Sequence, residues 1–516
     1  MSNSQEKDIP VVKKIVTKDE PESLTFLRRV IVLALVIFVL SLGLPLWFNT
    51  TTIYRAELPL DEISHLSHNF QKELNFHIPV YVDIPNSIIS PAQQQIDSKI
   101  QNDYPQLVGL WNIELKQALD SIDSSKDYLV KLEKHQDPAA TSDSYSVSPF
   151  NKETILYAVD GSSQIDQLLT TVLIEHVFKE ELEMFVRVID GSTTGESTDI
   201  DVAMPYSSQY NVVFSLFTEA GSPIDWQIEK VSKLFNPILE NLNHFANFSI
   251  STQVQYYSKL TFEPTYDEER QVYEVQEDEL STFINFGDWN LISHDIKPTI
   301  NFLTYFPESN YKGKPLLIKN SETNSFLVPQ WGGVYIFNKG MPILEGRNIG
   351  LLESELIPIM EIFVSQLFHL LGMTSTPKSP LIRIDTLSRV TTFKNLRQSL
   401  ENLQSLVKLT ESLDGISIPE STKKYVELTV EFIHKSIQEA SENHNFHKSI
   451  DYSSRGVEYS DKAFFEKEMV QQTYFPQEHK LAVYLPLLGP LLSILSIGVF
   501  KTLKDMKSDK KKVKVE

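Results

Sequence analysis

Hydrophobic side chains are densest in two stretches, one near each end of the chain. Residues 30–48 read VIVLALVIFVLSLGLPLWF and residues 481–500 read LAVYLPLLGPLLSILSIGVF; neither contains a charge. A helix rises about 1.5 Å per residue, so each stretch reaches roughly 28–30 Å, enough for a thin bilayer core. Between them lie about 430 residues with the apolar density of ordinary globular sequence. The pattern predicts a short tail (1–29), a transmembrane helix (30–48), a mixed α/β region (49–350), a helical region (351–480), a second transmembrane helix (481–500) and a lysine-rich tail (501–516). The bland alternatives are a cleaved signal peptide at 30–48 and a buried core helix at 481–500. Trp47 and Phe48 at the exit, and the lack of a clear small-x-small cleavage site, speak against the first. The lysines that follow residue 500 speak against the second.

Within the central region the apolar spacing alternates between two periods. Helical spacing appears at Ile63, Leu66, Phe70 and Leu74, over 163–186, and over 226–245 despite Pro237. Alternating or continuous β-branched runs predict strands at 78–84, 154–159, 210–218, 248–260 and 299–306. Residues 315–338 read as short strands, PLLIKN, SFLVPQ and GVYIFN, the last two joined around Trp331-Gly332-Gly333. Two adjacent glycines beside a large aromatic predict a tight turn or a close backbone approach. Beyond residue 353 helical spacing dominates, at 356–373, 379–413, 419–440 and 453–472. The expected fold is a mixed α/β (α+β) body with a helical C-terminal part, flanked by the two spans. No internal repeat and no extended low-complexity tract is visible.

Charge sets the orientation. Arg28 and Arg29 precede the first span, and seven lysines with three acids follow the second, while Lys480 is a small counter-signal. Basic flanks stay on the cytosolic side, so both termini are expected there and the large region on the opposite side. The net charge is −21, of which the first 29 residues carry +1 and the last 16 carry +4, leaving −26 on the central region. So acidic a body is a poor partner for nucleic acid or an anionic lipid surface.

The chain has no cysteine, although domains facing an oxidising compartment often use disulfides. It therefore supplies no thiolate nucleophile, cysteine–zinc site or redox pair, and any cysteine chemistry belongs to another subunit. Other chemistry-bearing patterns are thin. His65 and His68 sit three apart on an expected helix, without a third ligand at recognisable spacing. His444 and His447 fall in SENHNFHKS, which reads as a loop. The run 191–197, GSTTGES, has the composition of an anion-cradling loop but equally of plain surface. The acids at 267–269 and 277–279 lack calcium-loop spacing. Nucleophile-elbow, P-loop and dinucleotide motifs are missing, so neither a cofactor nor a metal is expected and no catalytic residue is assigned.

Two glycosylation sequons occur, at Asn49 and Asn247. Asn49 lies at the membrane exit, where the bilayer blocks a glycosyltransferase, so Asn247 is the candidate acceptor. At the C-terminus, Lys512 and Lys514 form a K-x-K-x-x pattern like the retrieval signal of endoplasmic-reticulum membrane proteins. A plain lysine-rich membrane flank also explains it.

Several stretches together resemble one family. They are LSLGLPLWFNTTTIYRAELPLDEI (40–63), FLVPQWGGVYIFN (326–338), QLFHLLGM (366–373) and LPLLGPLL (485–492). The Y-R-A-x-L-P segment directly after a span is the most discriminating. These features are similar to the PIG-S family, the two-span subunit of the glycosylphosphatidylinositol (GPI) transamidase. The resemblance implies a non-catalytic subunit in the endoplasmic reticulum membrane with a large lumenal body. The complex would remove a C-terminal hydrophobic signal and join the new carboxyl end to the ethanolamine amine of a GPI lipid. Implied partners are the other subunits, including the cysteine-protease-like one that holds the nucleophile, together with membrane lipid or GPI and the substrate proproteins. The alternative from another class is an independent, membrane-tethered lumenal hydrolase or transferase.

Overall fold

The computed structural model describes residues 22–43, 45, 54–118, 122–135, 142–159, 164–190, 203–219, 221, 224–226, 228–243, 245–283, 298–307, 314–338, 349–413, 416–467, 469 and 477–512. In chain order the elements are α1 (Glu22–Phe38), α2 (Leu60–Glu73), β1 (Phe76–Asp83), α3 (Asn86–Asp103), β2 (Trp111–Gln117), β3 (Tyr128–Lys134), β4 (Ser144–Val147), β5 (Glu153–Ala158), α4 (Ile165–Val172) and α5 (Lys179–Asp190). There follow β6 (Gln209–Thr218), β7 (Ile224–Asp225), α6 (Ile228–Leu242), β8 (Asn247–Gln255), β9 (Thr265–Asp267), β10 (Val272–Val275), β11 (Thr299–Phe306), β12 (Leu316–Ile318), β13 (Ser325–Val328), β14 (Gly332–Ile336) and β15 (Ile349–Gly350). The chain ends in α7 (Glu353–Leu370), α8 (Pro380–Ser412), α9 (Glu420–Ser441), α10 (Phe446–Phe464) and α11 (Gln477–Lys512).

Two units divide these elements. One comprises Leu58–Val407 and Lys424–Phe464, the other Met1–Glu57, Lys408–Lys423 and Phe465–Glu516. In the larger unit two five-stranded sheets repeat one topology. The first has the order β2-β1-β3-β5-β4 and the second β8-β6-β11-β14-β13. In each, four strands run parallel and the last is an antiparallel hairpin partner inserted before its neighbour. In each, the first helix after the first strand has an internal proline, Pro91 in α3 and, after the short β7, Pro237 in α6. This repeat is invisible in the sequence. The second copy interrupts its order with β7, β9, β10 and β12, which belong to other sheets.

The second sheet buries the larger core. β6 and β11 have nearly every side chain buried, because helices and the neighbouring small sheet cover both faces. Phe214 packs edge-on to Phe235 at 5.0 Å, and Phe302 stacks on Phe363 at 4.9 Å, joining α6, the sheet and α7. Each such ring contributes roughly 1.5–3 kcal/mol by burial. The helical part begins at Glu353, and its first helix packs into this core through Leu356, Ile359, Phe363 and Leu367. Behind it α8, α9 and α10 pair through small polar contacts. Asn395 Nδ2 donates to Ser453 Oγ at 3.1 Å, Asn402 Nδ2 to Asp461 Oδ1 at 2.7 Å, and Ser436 Oγ to the Ser449 carbonyl at 2.8 Å.

Some elements differ from the pattern-based expectation. The helix expected over 163–186 is split by a π turn at Leu173–Val177. The helix expected at 453–472 instead runs Phe446–Phe464, because Asn445 starts it by accepting the Lys448 and Ser449 N–H groups. His447 therefore lies in a helical first turn rather than a loop. At the W-G-G block, the turn is carried by Pro329–Gln330–Trp331, with Gln330 at φ 56°, and the glycines lie in β14. Their smallness serves close approach: a Cβ on Gly332 would stand 1.9 Å from the Asn301 carbonyl oxygen of β11.

In the smaller unit, Ser23–Gly43 is long and apolar enough to cross a membrane, and it is the one such helix found among the described residues. It starts earlier than the uncharged stretch, so Arg28 and Arg29 are inside the helix. α1 lies antiparallel to α11. Val32 faces Gly498, where a Cβ would meet Val32 Cγ2 at 3.2 Å, and the Arg28 guanidinium pairs with the Asp505 carboxylate. After the first helix, the Y-R-A segment bridges to residue 418: Ala56 N–H donates to the Ile418 carbonyl at 3.0 Å, and Ile418 N–H to that of Tyr54 at 3.0 Å. Arg55 Nη2 caps a helix end by donating to the Thr410 carbonyl at 2.6 Å.

Candidate functional site

Among the described residues the most concentrated chemistry is a buried charge network in the larger unit. Glu181, in the first turn of α5, lies on the apolar stripe formed by Phe178, Leu182 and Phe185, and Arg389 lies on the inward stripe of α8. Both side chains are fully buried. Arg389 Nε donates to Glu181 Oε1 at 2.6 Å and Nη2 to Oε2 at 2.5 Å, a two-pronged pair. Trp111 Nε1 adds a bond to Oε1 at 2.7 Å and Thr386 Oγ1 one to Oε2 at 2.9 Å. Tyr128 OH accepts from Arg389 Nη2 at 3.1 Å and donates to Asp385 Oδ2 at 2.9 Å. Lys152 Nζ closes the network 2.6 Å from Asp385 Oδ2 and donates to the Lys126 carbonyl at 2.8 Å.

The network is balanced, with two acids against two bases; the Glu181–Arg389 pair is fully buried, and Asp385 stands at its partly exposed edge. Burial lifts the Tyr128 phenol well above its ordinary range; Arg389 opposes this, and Asp385 and Glu181 reinforce it. Burial works against the Arg389 charge, but Glu181, Tyr128 and Asp385 outweigh it, so the guanidinium is held more firmly protonated than in water. Tyr128 is thus fixed as a neutral hydrogen-bonding group. The arrangement joins the first sheet, α5 and α8, and it offers no activated nucleophile.

The residues singled out from sequence are scattered. His65 and His68 are on α2, with His65 3.8 Å from Glu73 and His68 bonded to its own helix at the Ser64 carbonyl. His444 instead packs against His77, outside the patterns singled out from sequence, with the rings tilted and 5.0 Å apart at their centres. His77 lies between Asn112 Oδ1 at 2.9 Å and Glu114 Oε2 at 2.6 Å, and Lys116 reaches Glu114 at 2.7 Å. Partial burial, then His77 and Lys116, lower the His444 pKa. Among the described residues no three His, Asp or Glu side chains are grouped to hold a metal ion.

The acid clusters cap local structure. Asp267 Oδ1 accepts the N–H groups of Glu269 and Arg270, and Glu279 accepts that of Gln276. Asn247 is exposed at the first position of β8. Lys512 ends α11. Asn49, the run 191–197 and Lys514 lie outside the described residues.

The Phosphatidylinositol-glycan biosynthesis class S protein (PIG-S) family model matches residues 34–509, nearly the whole chain. The chain belongs to the PIG-S family. It is 29% identical to the GPI transamidase component GPI17 of Saccharomyces cerevisiae, over 94% of this chain and 94% of that protein. It is 27% identical to the GPI transamidase component PIG-S homolog of Schizosaccharomyces pombe, over 94% of this chain and 85% of that protein. Against the human GPI-anchor transamidase component PIGS the identity is 26%, over 89% and 92%. Membership in the PIG-S family thus rests on the full architecture rather than on one motif.

The sequence carries a signal for the Glu181–Arg389 pair. A charged residue repeating the spacing of an apolar stripe marks a buried partner on a facing element.

Proposed function

We propose that this chain is an accessory, non-catalytic subunit of a GPI transamidase complex. The carrying observation is the family match over residues 34–509, with relatives named as components of that transamidase. The lack of any cysteine fits a subunit that leaves the nucleophile to a partner. In this reading a thiolate elsewhere attacks the substrate's scissile carbonyl and the hydrophobic signal leaves. The ethanolamine amine of GPI then displaces the thiolate. This chain assembles the complex and positions the substrate protein and membrane.

The proposal includes two membrane anchors, 30–48 and 481–500, with both termini cytosolic and the central body in the lumen of the endoplasmic reticulum. The antiparallel packing of α1 on α11, with Arg28 against Asp505, supports termini on one side. Lys512 and Lys514 then act as a cytosolic retrieval signal, and exposed Asn247 as a lumenal glycan acceptor. Treating the full-length protein with an N-glycan-removing endoglycosidase is expected to raise its gel mobility, and Asn247→Gln to abolish that shift. No shift in the unsubstituted protein would count against this acceptor. For the function itself, depleting the chain is expected to strip GPI-anchored proteins from the cell surface while their uncleaved proproteins accumulate. Normal surface levels after full depletion would sink the reading. The hydrolase alternative gains no support from the charge network, whose Glu181–Arg389 pair is fully buried.

A further inference from the structure

The two sheets of the larger unit repeat one topology but treat their first edge differently. In the first sheet the edge strand β2 is closed by a side chain. Gln93 Nε2 donates to the Ile113 carbonyl at 2.9 Å, and the Leu115 N–H donates to Gln93 Oε1 at 2.9 Å. One amide thus imitates a neighbouring strand. Gln93 stands two residues after the internal proline of α3. Two residues after the internal proline of α6 stands Leu239, which is buried in the core and has no polar side-chain atom. Among the described residues the corresponding edge, β8, has no such closure.

Direction along β8 follows from one bond. Asn247 N–H donates to the Ser208 carbonyl at 2.9 Å, so Asn247 and every second residue after it turn their peptide groups toward β6. Those of Phe248, Ile250, Thr252 and Val254 face away, and among the described residues nothing bonds them. Such a row is a template for another strand, and proteins ordinarily blunt it with charge, proline or shortness. β8 reads NFSISTQVQ, nine residues without a charge or a proline. The edges β4 and β13 have four residues each, and Ser321 Oγ bonds both the N–H and the carbonyl of Ser325 in β13.

We propose that the outer edge of β8 docks one extended segment of another subunit of the complex, added to the sheet as a further β-strand. Only an extended backbone presents donors and acceptors at the spacing this edge requires. A second copy is opposed by charge, since each brings −26 on its central region, and an uncharged or basic segment is favoured. Tyr256 and Tyr257, exposed just beyond the strand, supply aromatic anchors of the kind that fixed protein interfaces use. This inference rests on the chain being a subunit of a multi-protein complex and names one contact within it.

Amide hydrogen exchange tests it, measured on the full-length chain in its detergent-purified complex and on the same chain alone. Exchange at Phe248, Ile250, Thr252 and Val254 is expected to slow by about tenfold or more in the complex. The inward amides of Ser249 and Ser251 should be protected in both samples. Thr252→Pro deletes one outward donor and leaves the ladder to β6 intact, so it should cut recovery of the partner. Thr252→Val should not, and the Ser249 and Ser251 amides report whether the strand still forms. Equal exchange in a recovered complex would overturn the edge proposal alone. Slow exchange in the lone chain would overturn it too: light scattering would then assign the cover to a second copy if the mass doubles, or to this chain if it does not. Protection appearing only after a substrate polypeptide is added would also overturn it. Failure to recover any complex would remove the subunit reading, and the edge proposal with it.

Discussion

Arg389→Met is expected to destabilise the larger unit by about 3–5 kcal/mol, because it leaves the Glu181 carboxylate buried without its counter-charge. Trp111 and Thr386 would still donate to Glu181, but two neutral donors do not neutralise a buried anion. Tyr128 would also lose the guanidinium and keep only Asp385. The measurement is unfolding of the purified full-length protein by denaturant, followed through tryptophan fluorescence. Glu181→Leu combined with Arg389→Met should recover part of the loss, since removing both charges is cheaper than removing one. If the double variant loses the sum of the two single losses, the pair is not coupled and the network does not hold the first sheet to α8.

Gly332→Ala is expected to cost about 3 kcal/mol or more, a large value for a single methyl group. The added Cβ would lie 1.9 Å from the Asn301 carbonyl oxygen and 2.7 Å from its carbon. These are backbone atoms of a central strand, so β11 and β14 must separate and their ladder must break. Its neighbour provides the contrast. A Cβ on Gly333 would also lie 1.9 Å from its nearest atom, but that atom is Gln366 Oε1, at the end of a side chain. Gln366 can turn away at the cost of its bond to the Phe326 carbonyl, about 1 kcal/mol. Gly333→Ala is therefore expected to be the milder change in the same unfolding measurement. Equal losses would mean that β14 yields as readily as a side chain, contrary to the packing described.

The parts of the fold that were legible in sequence are those where one period dominates. β6 and β11 are unbroken apolar runs, because both of their faces are covered, and their ends were read to within one residue. β2 and β3 were missed. WNIELKQ and YLVKLEK place charges on the less buried positions, which masks short strands as polar linker. α3 was missed because its buried positions, Ala92, Ile96 and Ile100, are few and follow Pro91. Of the two expectations for the paired glycines, a tight turn or a close backbone approach, the structure shows the approach, and Gln330 carries the turn before β14. Adjacent glycines do not reveal whether they serve a turn or a close approach until the facing strand is known. The family was legible from four separate stretches, and one of them, Y-R-A-x-L-P, holds Tyr54, Arg55 and Ala56 against residues 410–420. The repeated topology, and the open edge it exposes, needed the strand order.

The most direct test of the central claim is affinity purification of the full-length chain in mild detergent, with quantitative mass spectrometry of what accompanies it. A cysteine-protease-like subunit and multispan companions are expected at stoichiometry similar to the chain. Recovery of the chain alone, under conditions that keep other membrane complexes intact, would contradict that claim.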